Sequence, residues 1–255
     1  MSFDDDLNAC AGIVEKGDEE RFAAAMANPV AARRVLFPLY AFNVEVARAP
    51  WVTQETMIAE MRLQWWRDAL EEIAKGGPVR RHEVVSPLAG VLDAQAAAWL
   101  DKSIAVRRWD IYKDGFEDQA HFDDYIMQTA GTLIWVAARA LGASDAFEAP
   151  IRQLGYAAGL ARFLQAIPIL ESRGRIPLLD GQPAAVAQLA KENAARAKAA
   201  AIACKSVPLP AHAALTEAFQ ARALLDAAAK SPQVVAEGAL VLNPLRRSML
   251  LWRWS

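Results

Sequence analysis

Three polar clusters on apolar stretches contain the side chains of this sequence that could do chemistry. In the first, residues 36–48, Tyr40 and Asn43 share an apolar helical face, and Glu45 and Arg48 stand one helical turn apart. A buried amide needs hydrogen-bond partners, which makes Asn43 a candidate ligand contact. Glu45 and Arg48 are predicted either to contact the same ligand or to form an ordinary surface ion pair.

The second and third clusters combine arginine with aromatic or apolar helix faces. In residues 61–68, Arg62 lies one turn from Trp66, with Trp65 beside it. This arrangement is typical both of cation–π packing and of a cavity wall for a long apolar ligand with a charged head. The third cluster places Arg162 inside the apolar stretch 156–170, ahead of a basic turn at residues 173–175. Basic residues that end a helix commonly complement its dipole, whereas an arginine inside an apolar helix is unusual.

The elements that position these clusters are predicted to be helices throughout. Helix-forming residues are abundant, and no neighbouring runs alternate strictly between apolar and polar residues. Short breaks rich in Gly and Pro separate the segments, and none is a long linker, so we expect one all-α domain over residues 1–255. Helices are predicted over residues 4–16, 19–27, 31–49, 53–75, 87–112 (broken near residues 100–101), 119–142, 145–171, 184–204, 211–229 and 232–251.

The clearest predicted helix follows Thr53, a candidate N-cap, and ends before the turn at residues 76–78. Its apolar side chains recur every four residues, so their stripe drifts slowly around the helix. They are Met57, Met61, Trp65, Ala69 and Ile73.

Composition and charge exclude several classes of protein. The 255-residue chain has a formal net charge of −2 and therefore no overall field that would attract a nucleic acid, so no nucleic-acid partner is expected. Its two cysteines and three histidines are isolated in sequence, which argues against a zinc site or a disulfide framework. The acidic start lacks the apolar core of a signal peptide, and no apolar stretch is long enough to span a bilayer, so a cytoplasmic location is expected.

Four motifs, in this order along the chain, resemble those of the squalene/phytoene synthase family. They are Tyr40-Ala41-Phe42, then Arg62-Leu63-Gln64-Trp65-Trp66-Arg67, then Tyr125-x-x-x-Thr129-Ala130-Gly131, and finally Arg173-Gly174-Arg175-x-Pro177. The resemblance runs from about residue 18 to residue 180. It implies an isoprenoid synthase-type helical bundle around a central cavity, in which active members join two prenyl diphosphates head to head. The polar clusters and these motifs together give the candidate substrate-binding residues: Tyr40, Asn43, Glu45, Arg48, Arg62, Trp65, Tyr125, Thr129, Arg162, Gln165, Arg173 and Arg175.

The two aspartate-rich motifs that the family's chemistry requires are missing from this sequence. Magnesium must neutralise the diphosphate leaving group, and magnesium prefers carboxylate oxygens. Counted from the matched motifs, the acidic positions fall on Ala47, Arg48 and Trp51 and, in the second motif, on Ala166 and Leu170. We therefore assign no catalytic residue and no metal ligand. In the same register Arg162 replaces an asparagine, and its guanidinium is predicted to bind phosphate or to pair with Glu45.

The run from Tyr40 to Arg48, followed by Arg62-Leu63-Gln64-Trp65-Trp66, resembles a divergent branch of the family that includes a mitochondrial complex I assembly factor and its bacterial relatives. This resemblance implies a protein that has lost condensation and acts in binding an isoprenoid or other apolar ligand, or in assembling a respiratory complex with a protein partner. The alternative is an active head-to-head prenyl-diphosphate transferase of isoprenoid biosynthesis. No cofactor is expected in the first case, and magnesium is expected in the second.

The last segment, residues 245–254, mixes arginine with tryptophan and aliphatic residues. It is predicted either to be the last helix of the core or to contact a membrane interface, where tryptophan and arginine are both favoured. Such a contact would be peripheral, at the inner membrane.

Overall fold

The computed structural model describes residues 3–53 and 55–254, and every regular element in these two ranges is a helix. The all-α prediction is therefore confirmed. The α-helices are α1 (Phe3–Gly17), α2 (Glu19–Met26), α3 (Val30–Arg48), α4 (Thr56–Ala74), α5 (Val85–Ala89), α6 (Ala94–Val106), α7 (Gln119–Ile126), α8 (Thr132–Ala140), α9 (Glu148–Ser172), α10 (Pro183–Ala203), α11 (Leu209–Leu215), α12 (Ala221–Lys230), α13 (Gln233–Ala236) and α14 (Pro244–Trp254). Within the described ranges, no helix is both long enough and apolar enough to cross a membrane.

Side-chain caps fix the starts of three helices near the site. The carboxylates of Asp18, Asp93 and Asp118 accept hydrogen bonds from the backbone N–H groups of the first turns of α2, α6 and α7. Each cap satisfies a donor that has no partner inside its helix. At the other end of α3, Pro50 lies in a short 3₁₀ turn, Ala49–Trp51, so the α-helix ends at Arg48 before Trp51, as the proline predicts.

Four predicted helices differ from the structure in their breaks. The predicted break near residues 100–101 is wrong, because Leu100 is buried inside α6 and the real break lies at residues 90–93, where Asp93 caps α6. Residues 119–142 contain a π-helical turn, Met127–Gly131, between α7 and α8. The segment 211–229 is interrupted by a 3₁₀ turn at Thr216–Ala218, and 232–251 by irregular chain at 237–243. The other predicted helices agree within a few residues.

The cap predicted for α4 is also wrong. Glu55 occupies the N-cap position, and the Thr53 hydroxyl instead accepts a hydrogen bond from the Glu55 N–H at 3.1 Å, one turn ahead of the helix. The apolar stripe of α4 does drift out of the core: Met57 and Met61 are 71% and 65% exposed, whereas its later members are buried or half-buried.

Two groups of buried apolar side chains stabilise the bundle, and α9 contributes to both. One contains α3, α8 and α11, and the other contains α10 and α12. Where α9 crosses the π-helical turn the backbones are very close, since a Cβ on Gly155 would lie 2.9 Å from the Cα of Gly131. Only glycine permits this approach, which fixes the π-helical turn, with Thr129, against α9 about two turns before Arg162.

No side chain of α14 is buried. Leu250, Leu251 and Trp254 are half-buried, and Trp254 packs against the apolar group of α3, α8 and α11. Residues 245–254 therefore do form a last helix, which packs on the outside of the core with one face and exposes the other.

Candidate functional site

A cavity of about 1160 Å³ opens between α1, α3, the α7–π turn and α9. We call it the main cavity. Two helices line it with one face each, because their contributing residues follow the i, i+3, i+4, i+7 spacing of a single helical stripe. These residues are Ala9, Gly12, Ile13 and Lys16 of α1, and Gly159, Arg162, Phe163 and Ala166 of α9. Most of them are small or apolar, so the interior is suited to an apolar ligand.

A buried ion-pair network, the Arg21–Glu217 network, borders the main cavity. The Arg21 Nε donates to Glu217 Oε2 at 2.6 Å, and its Nη1 donates to Asp18 Oδ2 at 2.7 Å. Arg162 Nη2 donates to the backbone carbonyl of Glu217 at 2.8 Å, and its Nη1 lies 3.7 Å from Glu217 Oε1. The Glu217 side chain is fully buried. A buried carboxylate in contact with two guanidinium groups is stabilised only while both charges remain in place.

Arg162 thus has partners other than the predicted one. Its Nε lies 3.7 Å from Glu20 Oε2, and the predicted pairing with Glu45 is not formed. The Nε and Nη1 atoms of Arg162 are buried and have no hydrogen-bond partner among the described residues. The guanidinium is therefore held beside the cavity by charge while part of its donor capacity is unused.

The network changes the pKa values of its neighbours. Burial alone would raise the pKa of Asp18, but the guanidinium groups of Arg21 and Arg162 outweigh it and hold this pKa below its ordinary value. Tyr40 is fully buried beneath Arg21, whose guanidinium carbon lies 5.6 Å from the ring centre. Burial and the Glu217 charge raise the pKa of Tyr40 well above its usual range, so its hydroxyl stays protonated. That hydroxyl has no hydrogen-bond partner in the described part of the chain.

A second polar group borders the cavity near the π-helical turn. Arg107 Nη2 donates to Asn43 Oδ1 at 3.2 Å, and Arg107 Nη1 lies 3.4 Å from Asp110 Oδ2. The Tyr125 hydroxyl donates to Asp110 Oδ1 at 2.8 Å. Burial raises the pKa of Asp110 even though Arg107 opposes the effect. Thr129, one turn after Tyr125, lines the cavity and donates to the Tyr125 carbonyl at 2.7 Å.

At the cavity rim, Arg48 Nη1 donates to Glu45 Oε1 at 3.1 Å. The predicted surface ion pair is therefore present, and both residues also line the cavity. A surface ion pair and a ligand contact, the two alternatives for Glu45 and Arg48, are compatible. A solvent-exposed ion pair contributes little to stability, so Arg48 stays available to a ligand.

Six of the candidate residues do not line the main cavity: Tyr40, buried beneath Arg21 as described above, and Arg62, Trp65, Gln165, Arg173 and Arg175. Arg62 is exposed on α4, and Trp65 packs against Trp66 and His82, with Arg80 stacked on its ring at 4.8 Å. Gln165 Nε2 donates to the Leu240 carbonyl at 3.0 Å. Arg173 and Arg175 line a neighbouring cleft, described next, and not the main cavity.

This cleft, of about 600 Å³, adjoins the main cavity at Trp51, which lines both. The Arg173 guanidinium carbon stacks 4.7 Å from the Trp51 ring centre. Arg175 is buried, stacks on the Trp109 ring at 4.0 Å, and donates to the backbone carbonyls of Trp109 and Asp110. Its burial lowers the pKa of Arg175. Structural contacts therefore occupy much of this side chain.

Most of the positions where the family resemblance places acidic residues line the main cavity. Ala47, Arg48, Trp51 and Ala166 are in its wall, and Leu170 is buried. The charged side chains of the wall are five bases (Lys16, Arg21, Arg48, Arg107, Arg162) and three acids (Asp18, Glu45, Glu83). The described residues contain no group of three His, Cys, Asp or Glu side chains placed to hold a metal ion. Asp18 and Glu45 are bonded to arginine, so these residues do not fit a magnesium cluster.

Sequence reasoning missed several polar residues of the site, among them Arg21, Arg107, Asp110 and Glu217. Glu217 stands in the apolar run Ala213–Phe219, so the criterion that singled out Arg162, a charge inside an apolar helix, applies equally to it. Arg21 follows Glu19 and Glu20 and resembles any surface arginine. Arg107 and Asp110 are equally inconspicuous, since only the tertiary structure buries them.

Comparison with known sequences gives one family. The sequence profile of the squalene/phytoene synthase family matches residues 14–247. NADH dehydrogenase (ubiquinone) complex I, assembly factor 6 homolog, of Drosophila melanogaster is 28% identical over 196 residues, which cover 74% of this chain and 58% of that protein. The human assembly factor 6 is 25% identical over 169 residues, covering 66% of this chain and 51% of the relative. The chain thus spans about half the length of the curated relatives it matches.

Two solved structures share the fold over nearly the whole chain. A dehydrosqualene synthase crystallised with a ligand has a TM-score of 0.79 at 16% identity, and covers 99% of this chain and 96% of its own. The squalene synthase HpnC from Alicyclobacillus acidocaldarius has a TM-score of 0.72 at 16% identity, covering 89% and 94%. At this identity the likeness shows the fold alone, and it confirms the predicted isoprenoid synthase-type bundle.

Proposed function

The chain belongs to the squalene/phytoene synthase family, and from this premise we propose that it binds an apolar, isoprenoid-like ligand with an anionic head in the main cavity and no longer condenses prenyl diphosphates. The ligand-bound protein acts in the assembly of a respiratory complex. Catalysis is lost in this proposal, whereas the bundle and its cavity are retained.

The observation that carries the proposal is the chemistry of the cavity wall on α3 and α9. Ala47, Arg48, Trp51 and Ala166 line the cavity at positions where the family resemblance places magnesium-binding carboxylates. A cluster of magnesium ions needs several free carboxylate oxygens to neutralise a departing diphosphate. Here alanine, tryptophan and arginine occupy those positions, so the wall favours binding an anion over ionising it.

The bound ligand is expected to have both an apolar chain and an anionic head. The small and apolar faces of α1 and α9 suit the chain, and a volume of about 1160 Å³ is ample for a long one. Arg107 is held in position by Asn43 and Asp110, and Arg48 lies exposed at the rim. A guanidinium binds phosphate or carboxylate through two parallel hydrogen bonds and needs no metal.

The role in assembly rests on the relatives, which are named complex I assembly factors in fly and human. Since this chain spans about half of their length, the proposed role concerns the shared bundle. A respiratory complex lies in the inner membrane, so the role would bring the protein from the cytoplasm to that surface as a peripheral protein.

A turnover assay tests the loss of condensation. The protein is incubated with farnesyl or geranylgeranyl diphosphate and Mg²⁺, and pyrophosphate and hydrocarbon products are measured. We expect no turnover, but we expect saturable binding of farnesyl diphosphate in calorimetry without metal. Release of pyrophosphate together with a squalene- or phytoene-like product would overturn the proposal and establish the alternative, an active transferase of isoprenoid biosynthesis.

The assembly role is tested in a deletion strain of the source organism. We expect the strain to lose assembled NADH–quinone oxidoreductase on native gels and to recover it with the wild-type gene. Full assembly without the gene would contradict the role, and it would leave the binding measurement standing on its own.

A further inference from the structure

The surface helix α14 presents an apolar stripe to solvent. Leu245, Met249 and Trp252 are 86%, 55% and 79% exposed. Their i, i+4, i+7 spacing places them on one helical face. Exposed apolar side chains are common singly, but three in one stripe on an 11-residue helix form a continuous contact surface.

Contacts with the bundle fix the direction of this stripe. Asn243 Oδ1 caps the helix by accepting from the Arg246 N–H at 2.8 Å, and Arg247 Nη1 bonds Glu19 of α2 at 3.1 Å. Leu250 and Trp254 face a depression formed with α10 and α12. At 3.6 residues per turn, the stripe points about 180° away from these packed side chains. It is therefore directed straight out from the protein body.

Positive charge flanks the stripe on one side. Arg246 and Arg253 lie roughly a quarter turn from it. They border the same depression, of about 500 Å³, together with Lys198, Lys205 and Arg222. Asp226 is the one acidic side chain in that lining, and it already pairs with Arg222 at 3.5 Å. This local excess of positive charge stands out on a chain whose formal net charge is −2.

We propose that α14 docks the protein on an anionic lipid bilayer. The stripe enters the boundary between headgroups and acyl chains, and Arg246 and Arg253 contact lipid phosphates. Tryptophan and leucine with flanking arginine are the side chains that favour this boundary, and basic residues near an anionic leaflet add electrostatic attraction. This contact does not depend on the main cavity or on its ligand.

Charge distinguishes α14 from an exposed apolar stretch on α4. On α4, Met57 and Met61 are exposed at the same four-residue spacing, but the charge beside them is balanced, because Glu60 pairs with Arg108 at 3.0 Å. A balanced ion pair adds little attraction to anionic lipids, so α4 provides a control of similar apolarity without the local excess of positive charge.

Vesicle sedimentation with the full chain tests the proposal. We expect binding to phosphatidylcholine vesicles that contain phosphatidylglycerol, little binding to phosphatidylcholine alone, and a decrease at high salt. Arg246→Gln with Arg253→Gln is expected to weaken partitioning by about 30-fold, since each basic residue near the surface contributes about fivefold. Leu245→Gln with Met249→Gln is expected to weaken it roughly tenfold or more. The control pair, Met57→Gln with Met61→Gln, is expected to change nothing.

Three results would overturn the proposal. The first is absence of binding by the wild-type protein to either vesicle. The second is an equal loss in the α4 control, with circular dichroism showing that all variants fold. The third is unchanged vesicle binding in the α14 variants while respiratory-complex assembly fails, because the helix would then dock on a protein. Failure of ligand binding in the main cavity leaves all three measurements unaffected.

Discussion

Gly12 offers a way to close the main cavity without disturbing the fold. It lies on the cavity face of α1 and lines the cavity, and a Cβ added there meets nothing within 4 Å. The other glycines of this wall, Gly17 and Gly159, lie against Val44 and Ala130 and leave no room for a side chain. Gly12→Phe should therefore place its ring in open cavity space.

The expected effects on stability and on binding have opposite directions. Glycine is about 1 kcal/mol less favourable than alanine inside a helix, and phenylalanine about half that, so Gly12→Phe is expected to leave the free energy of unfolding unchanged or slightly raised. The ring would displace about one five-carbon isoprene unit of the ligand. At about 0.8 kcal/mol per buried methylene this costs about 4 kcal/mol, or a roughly 1000-fold weaker Kd.

Calorimetric titration with farnesyl diphosphate in the absence of metal measures the Kd, and urea unfolding measures stability. Gly12→Ala is the control: it makes the same backbone change with a single methyl group and should bind as the wild type does. If Gly12→Phe is fully folded and binds with unchanged affinity, the ligand does not occupy the main cavity and the reasoning fails.

Four further outcomes follow from the site. Glu217→Gln removes the buried carboxylate that Arg21 contacts at 2.6 Å, and it is expected to lower the free energy of unfolding, measured in urea, by about 3–5 kcal/mol. A decrease below about 1 kcal/mol would show that water reaches the network. The folded pKa of Asp18 is depressed, so its contribution to the free energy of unfolding is present above the unfolded pKa and is lost as the pH falls through the folded pKa. Asp18→Asn should therefore lose less stability than the wild type as the pH is lowered. Identical profiles of stability against pH would contradict the ion pair. Arg48→Gln is expected to weaken binding of farnesyl diphosphate several-fold and of farnesol hardly at all, whereas equal losses would exclude a headgroup contact. Gly155→Val forces a side chain against the Gly131 backbone and should destabilise the fold by several kcal/mol. A thermal unfolding midpoint equal to that of the wild type would show that α9 can shift to make room.

The sequence predicted the helices and the register of the cavity wall because both depend on local spacing. The 3.6-residue periodicity and the Gly and Pro breaks place α3, α4, α9 and α10 within a few residues of their true bounds. Ala47, Arg48 and Ala166, which counting from the matched motifs assigns to the family's acidic positions, all line one cavity. The error at residues 216–220 arose because no Gly or Pro marks a break there, so tertiary contacts and not propensity interrupt the helix. At residues 237–243 the break is local, because Gly238 has a φ of +68° and Pro244 follows Asn243.

The polar partners of the site could not be predicted in the same way. Glu217 is 196 residues from Arg21 in sequence, and Arg175 reaches carbonyl groups 65 and 66 residues away. Nothing local in the sequence links such residues. Local spacing also suggested a contact that the structure does not form. Arginine beside tryptophan is typical of a cavity wall, but Trp65 stacks with Arg80 of the following loop, and Arg62 is exposed.

The polar wall of the main cavity is better explained by replacement than by simple loss of carboxylates. A bundle that had only lost its acidic side chains would leave an arginine such as Arg162 uncompensated beside the core, at a cost of several kcal/mol. Here Glu217 is fully buried between Arg162 and Arg21, and Asp18 pairs with Arg21 on the other side. The positive charges of Arg21 and Arg162 are thus balanced by Asp18, the N-cap of α2, and by Glu217 in the 216–218 turn, both outside α3 and α9. Restoring aspartates at positions 47 and 166 alone would therefore place them beside a fixed guanidinium, which would compete with magnesium for their oxygens.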